Sequence, residues 1–313
     1  VRSPLFPLKI FVLAVAIAYC GAVCAALLNG TNGQALIAAR AGLDGSSVSD
    51  DHTPVSGTFQ GPLNSAVSVN GALATVTGDG EFFLNSVPLI PGSNVFTLTV
   101  TTQDGQTASQ TITVNRAAGP APFTFVAKAA RLVDSLSVGF TLTSRAKVPV
   151  GRVDLSCTDG GAVSLTANDI AAMADVTCTY AAPGLHTARV NVFDPASTLI
   201  YTATQSTYMT TAREVGRTVR SVYTLMQGRL KENNVAAALN AFATDSQPKY
   251  NDIFTALGAE LPAAAGQLGQ IKELHLSGNT AEIVLLRAED GGNAQYIVHL
   301  MYCQDGIWRI ASM

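Results

Sequence analysis

Glu273 and His275 stand two residues apart in the run "IKELHLSGNT" near the C-terminal end. If the run is a strand, the two side chains share one face, and His299 can lie beside them on a neighbouring strand. A carboxylate that orients an imidazole is an ordinary general-base arrangement. The same parity also allows both groups to point into water, because Leu274 and Leu276 can take the core. Both placements stay open on the residues alone.

Other chemistry is sparse. The chain has no G-x-S-x-G elbow, no phosphate-cradling G-x-x-x-x-G-K-[ST] loop, no H-E-x-x-H and no EF-hand spacing. "GDGEFF" at 78–83 lacks a third glycine and a following helix, and reads as a hairpin turn. The four histidines, at 52, 186, 275 and 299, are scattered over different modules or linkers, and zinc-ribbon cysteine pairs are absent. No metal and no cofactor is expected. His186, in "YAAPGLHTARVNVFD", has no serine, cysteine or carboxylate at useful spacing, and is expected at a strand entrance, half-buried or exposed.

Cys157 and Cys178 both fall in alternating runs, with Val153 and Leu155 on the face of the first and Val176 and Tyr180 on the face of the second. Both sulfurs point inward if these runs are strands. In an oxidising compartment they can bridge, closing a loop of about twenty residues for roughly 3 kcal/mol in the chain-entropy picture. The alternative is two buried thiols. Cys303 is left over, and is expected as a small core residue.

The elements that must position these groups fall into successive stretches of the 313-residue chain, enough for two or three domains. Residues 1–28 carry Arg2 and Lys9 ahead of an apolar run, with small residues near Cys24, and read as a signal peptide or membrane anchor. Residues 29–54 read as a linker, polar and turn-rich. Residues 55–116 alternate apolar and threonine positions, as in Phe96, Leu98 and Val100 against Thr97, Thr99 and Thr101, with Asp104-Gly105 as a turn. "AAGPAP" at 117–122 is a second linker, and 123–210 returns to strands.

From Thr211 the period changes. Thr211 and Glu214 have capping-box spacing. Val215, Val219, Val222, Tyr223, Met226 and Leu230 then form a helical stripe. A second helix is expected from Asn233 or Asn234, and a third from Ser246 with Tyr250, Ile253, Phe254 and Leu257. Strands near 268–276, 279–288, 294–303 and 306–312 complete an α+β unit with helices over one sheet face. The strand from Tyr296 to Cys303 is apolar on both sides, so its second face is expected to meet another subunit, giving a homodimer, or the preceding sandwich.

The phrases "VNGALATVTGDGEF" and "VPLIPGSNVFTLTVT" resemble bacterial Ig-like domains of the kind found in glucodextranases. "YAAPGLHTARVNVFD" resembles the signature of PKD-like domains, although the cysteine pair and the lack of a tryptophan depart from that pattern. The helices-then-meander order and the closing "YIVHLMYCQDGIWRIASM" resemble NTF2-like (cystatin-like cone) domains. These resemblances imply a mainly β chain: two Ig-like antiparallel β-sandwiches in tandem plus a C-terminal α+β NTF2-like domain at 211–313. The cone resemblance also implies a pocket between sheet and helices, with Tyr223, Tyr250, Glu273, His275, Tyr296 and His299 as its candidate lining.

A net charge of −3, with lysines and arginines scattered apart from a loose group between Arg213 and Lys231, excludes a basic nucleic-acid face. The expectation is an exported, non-catalytic modular protein for binding, adhesion or structural spacing at a bacterial cell envelope. Its partner would be an envelope protein or polysaccharide, and it would meet membrane only through the N-terminal segment. The alternative is an NTF2-like small-molecule-binding or enzymatic domain tethered by two spacers. The separating observation is whether Glu273, His275 and His299 converge in a concave pocket.

Overall fold

The structure, a computed structural model, describes residues 35–117, 119, 121–157, 165–167 (backbone), 176–289 and 292–313. The segment read as a signal peptide or anchor lies outside the described residues. No helix among the described residues is long and apolar enough to cross a membrane. Strand outweighs helix, 53% against 19%, so the chain is mainly β.

The first nine strands are β1 (Leu36–Ala39), β2 (Ser47–Val48), β3 (His52–Gln60), β4 (Ser65–Val69), β5 (Ala72–Leu73), β6 (Thr75–Val76), β7 (Glu81–Pro88), β8 (Gly92–Thr102) and β9 (Thr107–Arg116). They form two sheets, β1-β3-β7-β6 and β2-β9-β8-β4-β5. Alternation puts Val55 and Phe82 of one sheet against Val67, Phe96, Leu98, Val100 and Ile112 of the other, all buried in one apolar cluster. Two packed sheets around one interior make an Ig-like fold.

The linker reading of 29–54 is corrected from residue 35 onward. β1 pairs antiparallel with β3, β2 pairs parallel with β9, and Ala35 is buried in the cluster. Strands this short carry one or two inward side chains, too few to show a period in sequence.

The next strands are β10 (Phe123–Ala127), β11 (Arg131–Val133), β12 (Ser137–Ser144), β13 (Arg152–Cys157), β14 (Leu165–Ala167), β15 (Val176–Thr179), β16 (Gly184–Phe193) and β17 (Leu199–Thr210). They form the sheets β10-β12-β15 and β11-β17-β16-β13-β14. The plan of the first unit repeats: β10 runs antiparallel to β12, while β11 runs parallel to β17. Val153 and Leu155 face Phe123, Phe140 and Cys178 across the interior. The Cys157–Cys178 disulfide joins the two sheets, with Cα atoms 5.8 Å apart.

His186 is buried at 7% exposure, which corrects the expectation of a half-open strand entrance. Its ring stacks on Tyr180 with centroids 4.1 Å apart, and Nε2 lies 2.9 Å from the Ala182 carbonyl oxygen. Gly184, at φ +145°, turns the chain between the two rings. The stretch is a packed corner.

The last unit has α1 (Ala212–Lys231), α2 (Val235–Leu239), α3 (Gln247–Leu257) and α4 (Leu261–Gly266), then β18 (Gln270–Ser277), β19 (Thr280–Glu289), β20 (Gly292–Tyr302) and β21 (Trp308–Ser312). The four strands form an antiparallel meander. The expected stripe of α1 is buried against Ile283, Leu285, Val298, Leu300 and Ile310. Asn234 caps α2 by accepting from the Ala237 N–H.

Two expectations for this unit are corrected. Ile253 and Leu257 lie on the outer side of α3 and are exposed, while Tyr250 and Phe254 take the core. Cys303 is half-buried near the β20–β21 turn rather than in the core. Ile297 and Met301 of β20 are 48% and 40% exposed, so among the described residues the preceding sandwich does not cover the outer face of this strand. Its outer face shares the sheet surface with the exposed side chains of Glu282 and His299.

Candidate functional site

Polar links tie the units together, three of them through Asn64, Asn85 and Tyr208. Asn64, buried in the turn between β3 and β4, donates through Nδ2 to the Trp308 carbonyl (2.8 Å) and accepts through Oδ1 from the Trp308 N–H (2.9 Å). One side-chain amide thus does for the edge strand β21 what a neighbouring strand would do. Asn64 Nδ2 also reaches Gln103 Oε1 at 3.0 Å. Beside this link, a Cβ on Gly306 would stand 2.6 Å from Leu73 and 2.9 Å from Ala66, so only glycine permits the approach.

Asn85 of β7 repeats the device on the second unit. Its Nδ2 donates to the Ser206 carbonyl at 2.7 Å and its Oδ1 accepts from the Ser206 N–H at 2.8 Å. Close by, Arg145 and Asp51 form an ion pair between the same two units.

The third link joins all three units. The Gly78 N–H of the first donates to the Tyr208 hydroxyl of β17 at 3.0 Å. Tyr208 donates in turn to Glu214 Oε1 of α1 at 2.9 Å, and Thr210 donates to Oε2 at 2.6 Å. The expected capping box is therefore half formed. Thr211 accepts from the Glu214 N–H, but the Glu214 carboxylate turns to the interface. Burial pushes the Tyr208 phenol up from its usual value, opposed by the Gly78 hydrogen bond.

Between these links the units enclose a cleft of about 550 Å³. Its charged lining is Asp79, Asp104, Arg131, Glu214 and Arg217, with the rings of Phe59, Tyr302 and Trp308. Burial also pushes the Tyr302 phenol up, with Arg131 nearby acting the other way. Openings of this size at domain junctions suit small ligands.

A second groove, about 660 Å³, lies between the two β units and includes Asp50, Asp51, His52, Arg145 and Tyr201. Asp50, Asp51 and His52 offer ligand atoms within 4.8 Å of one another, a set of types able to hold a metal. The sequence expectation of no metal missed this grouping, because it falls in the stretch read as linker. Arg145 and His52 already pair with Asp51 there. Burial raises the Asp50 carboxyl above its usual range. Burial also acts upward on Asp51, but hydrogen bonds from His52, Asp50 and Arg145 outweigh it and hold that group low.

The six residues expected to line a cone pocket do not gather in one. Tyr223 is buried, donates to the Gly269 carbonyl at 2.8 Å, and has its phenol pushed up to about 12 by burial. Tyr250 is buried, donates to the Met313 carbonyl at 2.9 Å and accepts from the Met313 N–H at 2.7 Å. Glu273, His275, Tyr296 and His299 are exposed. His275 Nε2 stands 3.5 Å from Glu273, and His299 Nδ1 stands 3.4 Å from Glu282. The register sets His275 opposite Glu282 and Glu282 opposite His299, a row across the outer face of the sheet. The parity argument in the sequence allowed this outcome, and Leu274 does pack toward the core.

No protein-family model and no curated protein matches the sequence. Among solved structures, the fibronectin(III)-like modules of CbhA from Clostridium thermocellum are 13% identical over 57% of this chain and 96% of theirs, with a TM-score of 0.22. Dimeric latent PorU from Porphyromonas gingivalis is 10% identical over 57% of this chain and 20% of its own, with a TM-score of 0.34. The D00-D0 domain of intimin is 10% identical over 56% of this chain and 99% of its own, with a TM-score of 0.22. The fold described above rests on its own sheets and cores.

Proposed function

We propose that the chain is a non-catalytic, exported modular protein for binding or structural spacing at a bacterial cell envelope. In this reading two Ig-like sandwiches, the second of PKD-like type, precede an NTF2-like α+β domain. The observation that carries it is the set of polar links between units, Asn64 to Trp308, Asn85 to Ser206, and Gly78 through Tyr208 to Glu214. Links of this kind hold modules as one body that presents a preformed surface, which suits recognition and spacing. The Cys157–Cys178 disulfide supports export, since such bonds persist in oxidising compartments.

The enzymatic alternative needs an open cone. Its interior is filled instead by Met226, Phe242, Tyr250 and Phe254, with Phe242 and Tyr250 stacked at 4.3 Å. Partners in the proposed reading are an envelope protein or polysaccharide, with a homodimer through the outer face bearing Ile297 and Met301 as a further proposal. The test is a titration of the intact chain with purified envelope polysaccharides, followed both for binding and for release of reducing ends. Saturable binding without bond cleavage supports the reading. Turnover that is lost in His275→Ala or His299→Ala contradicts it.

A further inference from the structure

Asp50, Asp51 and His52 each bring a ligand atom within 4.8 Å of the other two, in the turn that leads from β2 into β3. All three are half-buried, and their backbone is pinned. The Asp51 carbonyl accepts from the Leu89 N–H at 2.8 Å, and His52 stands opposite Pro88 in the β3–β7 pairing. His52 Nδ1 lies 2.8 Å from Asp51 Oδ1. Donors held about 2.0–2.1 Å from one tetrahedral zinc ion lie about 3.3 Å apart, so an ion enters here with a shift of roughly half an ångström. The second unit supplies the groups that orient the donors. Arg145 pairs with the other Asp51 oxygen, Oδ2, and leaves Oδ1 turned to His52. Tyr201 of β17 stands in hydrogen-bonding reach of the Asp50 carboxyl, and burial holds its phenol protonated, well above the usual value. Metal-binding carboxylates are commonly steadied by such outer partners.

Asp50 gives an independent sign that a cation belongs in this groove. Its carboxyl group meets the Asp51 N–H at 2.7 Å and the Tyr201 hydroxyl, both of them neutral. Arg145 answers Asp51 alone, and among the described residues Arg189, the other arginine of the groove, forms no ion pair with Asp50. Burial and the neighbouring Asp51 both push the Asp50 carboxyl up, and the two carboxyl groups stand within hydrogen-bonding reach of one another. Two carboxylates this close and partly desolvated repel unless a proton or a cation sits between them. An imidazole beside two carboxylates suits zinc and its first-row neighbours, whereas calcium and magnesium take oxygen donors. We propose that Asp50, Asp51 and His52 bind a divalent first-row metal ion of the zinc type. Three protein donors leave a fourth position for water or for a group of a partner. The donors belong to the first unit and their orienting partners to the second, so the ion fastens this junction. The site goes beyond the binding role given above and stands or falls apart from it.

The experiment is calorimetric titration of the chelator-treated full chain with zinc chloride and with calcium chloride. It is run on wild type, Asp50→Asn, His52→Ala and the double variant His275→Ala with His299→Ala. Circular dichroism of each variant checks that it is folded, and X-ray absorption of the zinc-loaded wild type reads the donor atoms. One zinc ion per chain is expected to bind saturably, and more tightly than calcium. Loss of even an outer partner of a metal ligand costs about 10–100-fold in affinity, so Asp50→Asn and His52→Ala should each weaken zinc at least about tenfold. The double variant should bind zinc as wild type does, because its histidines lie on the outer face of the C-terminal sheet. The absorption spectrum should show nitrogen and oxygen donors with one imidazole and no sulfur. Absence of zinc binding, calcium binding as tight as zinc, or sulfur donors overturns the proposal. So does zinc affinity that is unchanged in either folded single variant, or lost in the double variant.

Discussion

The Tyr208 hydroxyl donates to Glu214 Oε1 at 2.9 Å while accepting from the Gly78 N–H at 3.0 Å. One phenol thus connects a hairpin of the first unit, the last strand of the second and the first helix of the third. Gly78 is required for the approach, because a Cβ there would stand 2.2 Å from Glu214 Oε1. Gly78→Ala is expected to break the link and cost about 1–3 kcal/mol, as overpacking of a tight contact does. Tyr208→Phe removes the hydroxyl alone and leaves the charged carboxylate short of one donor, for about 1.5–3 kcal/mol. Urea unfolding of both variants measures these losses.

Asn64→Ala leaves the Trp308 N–H and carbonyl without the partners they now have. A buried pair left unmet costs about 1–3 kcal/mol per group. Amide hydrogen exchange should show the Trp308 N–H losing protection in Asn64→Ala while the buried core of β8 keeps it. Equal protection in both proteins would mean that water serves Trp308 as well as Asn64 does.

Removal of the disulfide by Cys157→Ser with Cys178→Ser should lower stability by roughly 3 kcal/mol for a loop of this length in the chain-entropy model. The two cysteines are 21 residues apart in sequence. The same loss should appear on adding a reductant to the wild type, and the reductant should do nothing further to the double variant.

The two carboxylates in the groove between the β units are shifted in opposite directions, so their pH effects have opposite signs. Asp51 is held low, so its contribution is present above the unfolded value near 3.8 and is lost as pH falls through the folded value. Asp50 is raised, so its ionisation opposes folding once pH exceeds 3.8, and this cost is complete above the folded value. At neutral pH, Asp51→Asn should therefore destabilise and Asp50→Asn should be neutral or stabilising. The two variants should converge toward wild type as pH is lowered below 3. Thermal melts across that range provide the check.

Much of the fold was legible because its elements obey a simple period. The alternation of Phe96, Leu98 and Val100 placed β8, and the stripe from Val215 to Leu230 placed α1, since burial on one face leaves a repeat in the sequence. The inward parity of Cys157 and Cys178 was readable for the same reason. The links between units leave no repeat. Asn64 and Asn85 look like any turn or strand asparagine, and their role depends on strands far along the chain. Glu214 was readable as a helix-start residue, yet its carboxylate serves the interface instead. For Glu273 and His275, strand parity allowed two faces, and only packing chose the outer one.

Small-angle X-ray scattering of the intact chain bears most directly on the claim that the three units form one linked body. The account predicts a single compact particle whose profile fits the described arrangement without flexibility, and which expands in the Gly78→Ala, Asn64→Ala, Asn85→Ala triple variant. A wild-type profile of an extended, flexible string of beads, unchanged in that variant, would contradict it.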